Sequence, residues 1–541
     1  MTIKRFGLIL ATLLAIGLAS LSLFGSWQEP QFQSRLELYQ TNIALQAQAW
    51  QPGDSKDDNF SAIREAILGE QPLETATKQY QQARESVQAN LDKARKQLAQ
   101  LPSLPQTIPT PPKPLPKVSS RRNTSGGEQQ EKLQQSLKQA EKLLAELDLR
   151  LGILQAQQGQ TDTALNTWNE LQKRLEQDNS TTDSKLLTPN SSLSTEIGGT
   201  AAALSGLWSN PARLLPNVQQ LIQKNLDGWF RSTALVQLYE LQQRQEPLSA
   251  VQAAEQEAAA QAVVKLVIIA TIPSLAALVG TILLIFLIAQ RLLKGKAALL
   301  AQNGDAPWST PWDGETVLQV FVLGFFFMGQ AFVPLLLSVI PIPRPLGNVR
   351  IQAVYVLISY LLVASGALSV LYISIKRFFP LPEFWFRFRV QDKWFLWGLG
   401  GYCVALPIVV VVSLINQQLW QGQGGSNPLL QLALESQDVV ALGIFFFTAA
   451  IAAPFFEEIL FRGFLLPSLT RYFPVWGAII ASALLFAIAH LSLSEILPLT
   501  ALGIVLGVVY TRSRNLLAPI LLHSLWNSGT LLSLFLLGSS N

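Results

Sequence analysis

Residues 453–465 read APFFEEILFRGFL, and they place three charged side chains in otherwise apolar sequence. A charged side chain near the centre of a bilayer costs about 2.5–3.5 kcal/mol on insertion scales. Arg462 follows Glu458 by four residues, so the two side chains share a helix face and can pair. Glu457 points about 100° away around the helix and has no such local partner. We therefore expect Glu457 to be a functional group.

Long apolar segments surround this stretch. The chain has 541 residues, of which 49% are hydrophobic and only 14% are charged, whereas soluble proteins carry roughly 25% charged residues. Hydropathy and flanking charge predict an all-α, polytopic membrane helix bundle of about eight spans. The predicted spans are Leu266–Ala289, Val317–Ile340, Ile351–Ile375, Trp394–Ile415, Val439–Phe456, Val475–His490, Ile496–Thr511 and Leu516–Leu537.

A further apolar run opens the chain. It extends from Phe6 to Phe24, after Lys4 and Arg5. A cleaved signal peptide has a shorter apolar region and a small-residue cleavage site. We therefore predict a signal anchor over residues 1–29, with a cleaved signal peptide as the alternative. Either one exports the sequence that follows.

The remaining sequence divides into three parts. Residues 30–260 are polar and Gln-rich and predict an exported helical domain, interrupted by a proline-rich linker at 102–127. Residues 261–390 contain the first predicted spans of the bundle. Residues 391–541 contain the other spans, together with all the unusual polar side chains, and form the predicted catalytic domain.

One stretch of the exported domain has a recognisable spacing. Residues 151–168 read LGILQAQQGQTDTALNTW, with small residues where two helices would touch. The spacing resembles one tetratricopeptide unit, although Asp148 stands where that repeat has its first Trp. A generic helical hairpin explains the pattern equally well. We expect this domain to bind a protein partner or a substrate.

The loop charges predict an orientation, because Lys and Arg concentrate in cytoplasmic loops. With the N-terminus in the cytoplasm, the basic loops near residues 291–296, 376–393, 471 and 512–514 all fall on the cytoplasmic side. Arg344 and Arg350 are the two exceptions. Residues 30–260 and the C-terminus are then non-cytoplasmic.

The two histidines of the chain lie close to the glutamates in sequence. His490 ends ASALLFAIAH, one helical turn after Phe486. His523 begins HSLWN, and Asn527 follows one turn later on the same face. Each histidine alone is as well explained by interhelical packing. Together with an intramembrane carboxylate pair, they point to a site.

A helical hairpin brings these groups to a common depth. Glu457 and His490 are both about 16 residues from a turn at Phe473–Pro474, so they lie roughly 24 Å from it. This requires the helix that contains Glu457 to continue past Phe456, to about Tyr472. The spacing therefore predicts that the carboxylate and the imidazoles converge inside the bundle.

These side chains suit the activation of water. A carboxylate can act as general base, one imidazole can hold the water or bind a metal, and the remaining donors can stabilise an oxyanion. Glu457, His490 and His523 are also a sound zinc set with an open position. HExxH is absent, and the single cysteine, Cys403, excludes a cysteine-based metal cluster. We expect no organic cofactor.

EEILFR, FAIAH and HSLWN, in this order, resemble the motifs EExxxR, FxxxH and HxxxN of the CPBP (CAAX protease and bacteriocin-processing, or Abi) family. This family includes the type II CAAX prenyl endopeptidases. The resemblance covers roughly residues 390–541. It implies that Glu457 activates water, that His490 is its partner, and that His523 and Asn527 lie at the oxyanion or the metal. It gives supporting roles to Glu458, Arg462 and Phe486.

We therefore expect an intramembrane endopeptidase that hydrolyses a membrane-associated protein or peptide. Two alternatives are a noncatalytic membrane scaffold that presents its helical domain to partners, and a proton-coupled transporter, because intramembrane Glu and His also form proton relays. The net charge of +4 gives no reason to expect nucleic acid as a partner. A prenylated CAAX substrate does not follow from the sequence.

Overall fold

The computed structural model describes residues 3–27, 33–50, 69, 71–100, 124–181, 189–339, 348–420, 423–426, 430, 432 and 438–538. The chain divides into two compact units. The membrane unit comprises Met1–Leu36 and Val267–Ser539, and the helical unit comprises Glu37–Leu266 and Ser540–Asn541. The predicted all-α fold is confirmed, since helices joined by short connections make up the described residues.

Helix α1 belongs to the membrane unit, and most of the following helices build the helical unit. In chain order they are α1 (Ile3–Ser26), α2 (Gln33–Gln48), α3 (Pro72–Gln100), α4 (Thr124–Gln157), α5 (Thr161–Thr181), α6 (Pro189–Trp208), α7 (Val218–Asn225) and α8 (Gly228–Leu241). Residues 102–123 of the predicted proline-rich linker lie outside the described residues. The last part of that linker was predicted wrongly, because α4 already begins at Thr124.

The helical hairpin predicted at residues 151–168 is confirmed as α4 and α5. Gly159 turns the chain between them with φ of 78°, a conformation that favours glycine. Trp168 is fully buried, and its ring occupies the space that a side chain at Gly152 would need. Its indole nitrogen donates a hydrogen bond to the carbonyl of Leu149 at 3.2 Å. The two helices are therefore locked by one large side chain set against one small residue.

Asp148, which stands where the tetratricopeptide pattern has its first Trp, is a buried carboxylate bound by two arginines. Its carboxylate is fully buried, and it accepts hydrogen bonds from Arg84 (Nε to Oδ1, 2.6 Å) and from Arg174. These two arginines lie on α3 and α5. An ionic cross-link between three helices thus stands where the repeat would place an aromatic ring.

The remaining helices form the bundle of the membrane unit, except that residues 245–266 of the first of them belong to the helical unit. They are α9 (Gln245–Lys294), α10 (Gly314–Val339), α11 (Val349–Ile375), α12 (Trp394–Trp420), α13 (Val439–Leu469), α14 (Val475–Ile488), α15 (Ile496–Ser513) and α16 (Leu517–Gly538). Among the described residues, eight helices including α1 are long and apolar enough to cross a membrane. Helix α14 has only 14 residues. The chain is an integral, multi-pass membrane protein.

Helix α13 carries the two glutamates and is longer than hydropathy alone predicts. It continues past Phe456, the predicted end of this span, to Leu469. The hairpin geometry required this extension. The turn to α14 follows at residues 470–474, as expected.

The connections between the membrane helices hydrogen-bond to one another at two separate ends. At one end, Trp385 donates to the carbonyl of Ser309 (2.9 Å), and the amide of Leu516 donates to the carbonyl of Arg387 (2.9 Å). This end collects the basic loops that were predicted to share one side, so we call it the basic end. Its cytoplasmic location remains a prediction, and Arg344 lies outside the described residues.

At the opposite end, the segment before α15 is the centre of the contacts. The amide of Ser494 donates to the carbonyl of Gly424 at 3.1 Å, and the amide of Leu493 donates to the hydroxyl of Ser26 at 3.2 Å. Arg350 also lies at this end, where it pairs with Asp438 at 2.6 Å. The second exception to the charge rule is therefore neutralised locally by a carboxylate.

Candidate active site

Helix α13 changes its winding beside the two glutamates. The segment Ala453–Glu458 is α-helical, and Ile459–Leu465 is π-helical. Such wider turns are uncommon and occur frequently at functional sites. Glu457 and Glu458 thus stand at the border between two helix types, with their side chains on different faces of α13.

Glu458 is the anchor of a buried polar network. Its Oε1 accepts a hydrogen bond from Arg462 Nη1 at 2.9 Å, and both side chains are almost completely buried. The predicted pairing of these two residues is therefore present. The guanidinium of Arg462 also donates to the carbonyl of Gly503 at 3.3 Å. A buried charge pair needs such additional hydrogen bonds to offset its desolvation.

The same carboxylate oxygen orients a histidine. His523 Nδ1 lies 2.8 Å from Glu458 Oε1. Because an ionised carboxylate can only accept, we assign a proton to Nδ1. The other ring nitrogen, Nε2, then faces Glu457, whose Oε2 is 4.0 Å away. His523 is thus fixed on one side and available on the other.

Glu457 is the more accessible of the two glutamates, with 17% of its side chain exposed. Its Oε1 accepts a hydrogen bond from the hydroxyl of Tyr360 on α11, at 3.4 Å. The gap between its Oε2 and Nε2 of His523 is too long for a hydrogen bond. A water molecule about 2.8 Å from both atoms would fit there.

His490 enters this arrangement through Phe486. Its Nδ1 donates to the carbonyl of Phe486 at 2.9 Å, which leaves Nε2 directed away from its own backbone. The ring of Phe486 contacts both imidazoles edge-on, with centroid separations of 4.9 Å to His490 and 5.7 Å to His523. The guanidinium of Arg462 lies 4.4 Å from the centroid of the same ring. Phe486 therefore packs between three polar side chains.

Asn527 connects two helices. Its amide nitrogen donates a hydrogen bond to the carbonyl of Ala449 on α13, at 2.7 Å. An amide has two N–H groups, so this contact uses only part of its donor capacity. The interhelical contact holds α16 against α13 one turn away from His523.

The structure thus brings the predicted residues together, with a different neighbour for Glu457 than expected. Sequence spacing pairs Glu457 with His490, whereas His523 is the imidazole that lies 4.0 Å from its carboxylate. The contact from Glu458 to His523 was missed, because spacing along one helix gives no information on the rotation of another. Tyr360 was missed as well, and its only signal is a phenol within an apolar span.

The metal hypothesis was compared with the positions of its donors. In the described part of the chain, no three side chains of His, Cys, Asp or Glu are grouped so that they could hold a metal ion. The zinc set of Glu457, His490 and His523 stays a prediction.

Residues 440–529 match the family model of the type II CAAX prenyl endopeptidase Rce1-like family. Two curated relatives are similar over part of their length. YdiL of Bacillus subtilis (strain 168), named as a membrane peptidase, is 28% identical over 133 residues, which is 25% of this chain and 53% of the relative. The membrane-embedded CAAX protease MroQ of Staphylococcus aureus (strain USA300) is 26% identical over 205 residues, which is 36% of this chain and 81% of the relative.

The chain thus spans about half the length of the first relative and about four-fifths of the second. No solved structure matches. The matched segment 440–529 runs from the start of α13 into α16. It includes each candidate residue that came from the sequence motifs, but it does not include Tyr360.

Proposed function

We propose that the C-terminal membrane region, which matches the type II CAAX prenyl endopeptidase Rce1-like model over residues 440–529, is that of a CPBP-family protease, and that the chain is an intramembrane endopeptidase. The observation that carries the proposal is the 4.0 Å gap between Glu457 Oε2 and His523 Nε2. Two acceptors at this separation suit one water molecule, which has two hydrogens to donate. A general base within hydrogen-bond reach of such a water can remove its proton.

We propose that Glu457 is that base. It removes a proton from the water while the water oxygen attacks the carbonyl carbon of the scissile peptide bond. His523 accepts the second hydrogen bond of the water and so sets the direction of attack. Glu458, with Arg462, keeps the ring of His523 in the required tautomer. The proton on Glu457 then passes to the leaving amine as the C–N bond breaks.

The oxyanion needs donors on the other side of the substrate carbonyl. Asn527 has an N–H group beyond the one that binds Ala449, and we propose that it donates to the oxyanion. His490 supplies the second donor when its ring is charged, because Nδ1 already faces the carbonyl of Phe486. Loss of one oxyanion donor typically costs about 10²–10³ in rate.

The substrate we propose is a membrane-associated protein or peptide. Glu457 and His523 lie on helices of the bundle and His490 lies just after the end of α14, so a scissile bond has to reach them from the lipid phase or from its boundary. One of the relatives is named a CAAX protease, so a prenylated C-terminal peptide is the first chemical class to test. We further propose that the basic end is cytoplasmic, that residues 30–260 are non-cytoplasmic, and that these residues recruit a protein partner.

The experiment uses the full-length protein in proteoliposomes. Internally quenched peptides that carry a farnesylated CAAX terminus are compared with the same peptides without the lipid. We expect Glu457→Gln to lower turnover by about 10²–10⁴-fold, the usual contribution of a general base, while the protein stays folded. Glu383→Gln, a glutamate in the connection between α11 and α12, is the matched control and should keep wild-type turnover.

A folded Glu457→Gln protein that hydrolyses these peptides at a near-normal rate would contradict the mechanism.

Zinc assistance, expected from the residue types, is tested on the same sample. Bound zinc is measured in the purified wild-type and Glu457→Gln proteins. A stoichiometric zinc ion that is lost together with activity would require side-chain positions other than those described above.

A further inference from the structure

Tyr360 is a side chain of the site that lies outside the matched segment and outside the three sequence motifs. It belongs to α11, and its hydroxyl lies 3.4 Å from Oε1 of Glu457. Within the described residues, the carboxylate of Glu457 accepts this one hydrogen bond, whereas the carboxylate of Glu458 accepts two. The orientation of Glu457 therefore depends on one phenol from another helix.

The ring of Tyr360 is held in place by packing. It meets the ring of Phe456 edge-on, with centroids 6.0 Å apart and an angle of 85° between the planes. The side chain is half-buried against the aromatic core that surrounds α13. A tyrosine has only two side-chain torsions, so a fixed ring also fixes the position of its hydroxyl.

The two oxygens of Glu457 consequently have different surroundings. Oε1 faces the hydroxyl of Tyr360, and Oε2 faces Nε2 of His523 across the 4.0 Å gap. A carboxylate free to rotate would exchange these oxygens and would hold a water poorly. A donor on one oxygen favours a single orientation, which is how supporting hydrogen bonds generally preorganise a reactive group.

We propose that Tyr360 is the positioning residue of Glu457. Its hydroxyl donates to Oε1, stabilises the ionised carboxylate, and turns Oε2 towards the water and His523. The effect on peptide hydrolysis rests on the proposed function. The contact itself does not, and it can be measured without a substrate.

The test uses dicyclohexylcarbodiimide, an apolar reagent that adds to carboxyl groups in their protonated form. Full-length protein in detergent is treated over a range of pH values, and modification of Glu457 and Glu458 is followed separately by peptide mass spectrometry. Without the Tyr360 donor the ionised form of Glu457 is less stable. We expect Tyr360→Phe to accelerate labelling of Glu457 at neutral pH by about three- to tenfold, in the range of a typical net hydrogen bond.

The change in labelling should be confined to Glu457. Labelling of Glu458, which is bound by Arg462 and His523, should stay as in the wild type. Tyr372→Phe is the matched control, because Tyr372 lies about 18 Å further along α11 and packs on Phe379. It removes the same atom from the same helix and should change neither profile.

Wild-type labelling of Glu457 in a folded Tyr360→Phe protein would overturn the proposal. A variant that unfolds as a whole would also overturn it, because Tyr360 would then be a packing residue. With a peptide that the wild type cleaves, we expect kcat to fall while KM stays constant. Altered labelling together with an active Glu457→Gln protein would instead refute the proposed function and leave the contact intact.

Discussion

Glu458 combines two tasks at the residue scale. Its Oε1 receives both Arg462 and His523, while its Oε2 is buried without a hydrogen-bond partner among the described residues. Removing one partner of a buried ion pair generally costs about 3–5 kcal/mol, because the other charge remains in an apolar setting. Stability and catalysis thus depend on the same carboxylate, and a pair of variants can separate them.

We expect Arg462→Met to destabilise the protein strongly, since it strands the charge of Glu458. The double variant Glu458→Leu with Arg462→Met removes both charges and should regain much of the lost stability. It should remain inactive, because Nδ1 of His523 then has no carboxylate to orient it. Thermal unfolding in detergent and peptide turnover are the two measurements.

A double variant that recovers turnover would show that Glu458 serves only as an ion-pair partner.

The i,i+4 contact between Glu458 and Arg462 could be predicted, because both residues lie on one helix with a known period. The contact of Glu458 with His523 could not, because 65 residues separate them and helix rotation is set by packing. The motifs named the candidate residues on α13, on α16 and at the end of α14, but neither Tyr360 nor the contacts between these residues.

At the scale of single elements, α1 is attached to the bundle at both ends. Near its start, Lys4 and Arg5 pair with Glu315 at 3.0 and 2.9 Å. At its end, Ser26 accepts the hydrogen bond from Leu493, and the ring of Trp27 meets that of Trp420 with centroids 5.7 Å apart. These contacts are compatible with the predicted signal anchor, which stays a prediction.

We therefore predict that α1 remains in the mature protein. Mass spectrometry of the purified protein should recover peptides from residues 3–27. Glu315→Gln should change the stability of the protein little, because Lys4 and Arg5, its ion-pair partners, are exposed. An N-terminus located after residue 24 in the purified protein would contradict this prediction.

The sequence predicted the presence of the membrane helices better than it predicted where they end. Apolar runs with charged flanks identified every helix of the membrane unit, because the bilayer imposes both composition and minimum length. The end of α13 was placed too early by hydropathy, since Glu457, Glu458 and Arg462 lower the local average. Polar groups that satisfy one another inside a bundle do not interrupt a helix, and hydropathy alone cannot recognise this.

At the scale of the whole molecule, the candidate site lies in one of the two units. The candidate site belongs entirely to the membrane unit, and its residues come from α11, α13, α14 and α16. The sequence motifs covered three of these helices. The contribution of α11 could not be predicted, because its place beside α13 follows from the assembly of the bundle and not from any local pattern.

The 14 residues of α14 also have a consequence for the surrounding lipid. They rise about 21 Å, whereas the hydrocarbon core of a bilayer is about 30 Å thick. A short helix thins the lipid beside it, at fractions of a kcal/mol per Å of mismatch. His490 follows directly after α14, so polar headgroups and water would approach it most easily where the bilayer is thin.

Hydrolysis should therefore respond to acyl-chain length. We expect faster turnover in dimyristoleoyl than in dierucoyl phosphatidylcholine vesicles, with equal amounts of reconstituted protein. Equal rates in both would contradict the expectation. A cell that lengthens or shortens its fatty acids would then change the rate of the proposed hydrolysis through the thickness of its membrane, with no change to the protein itself.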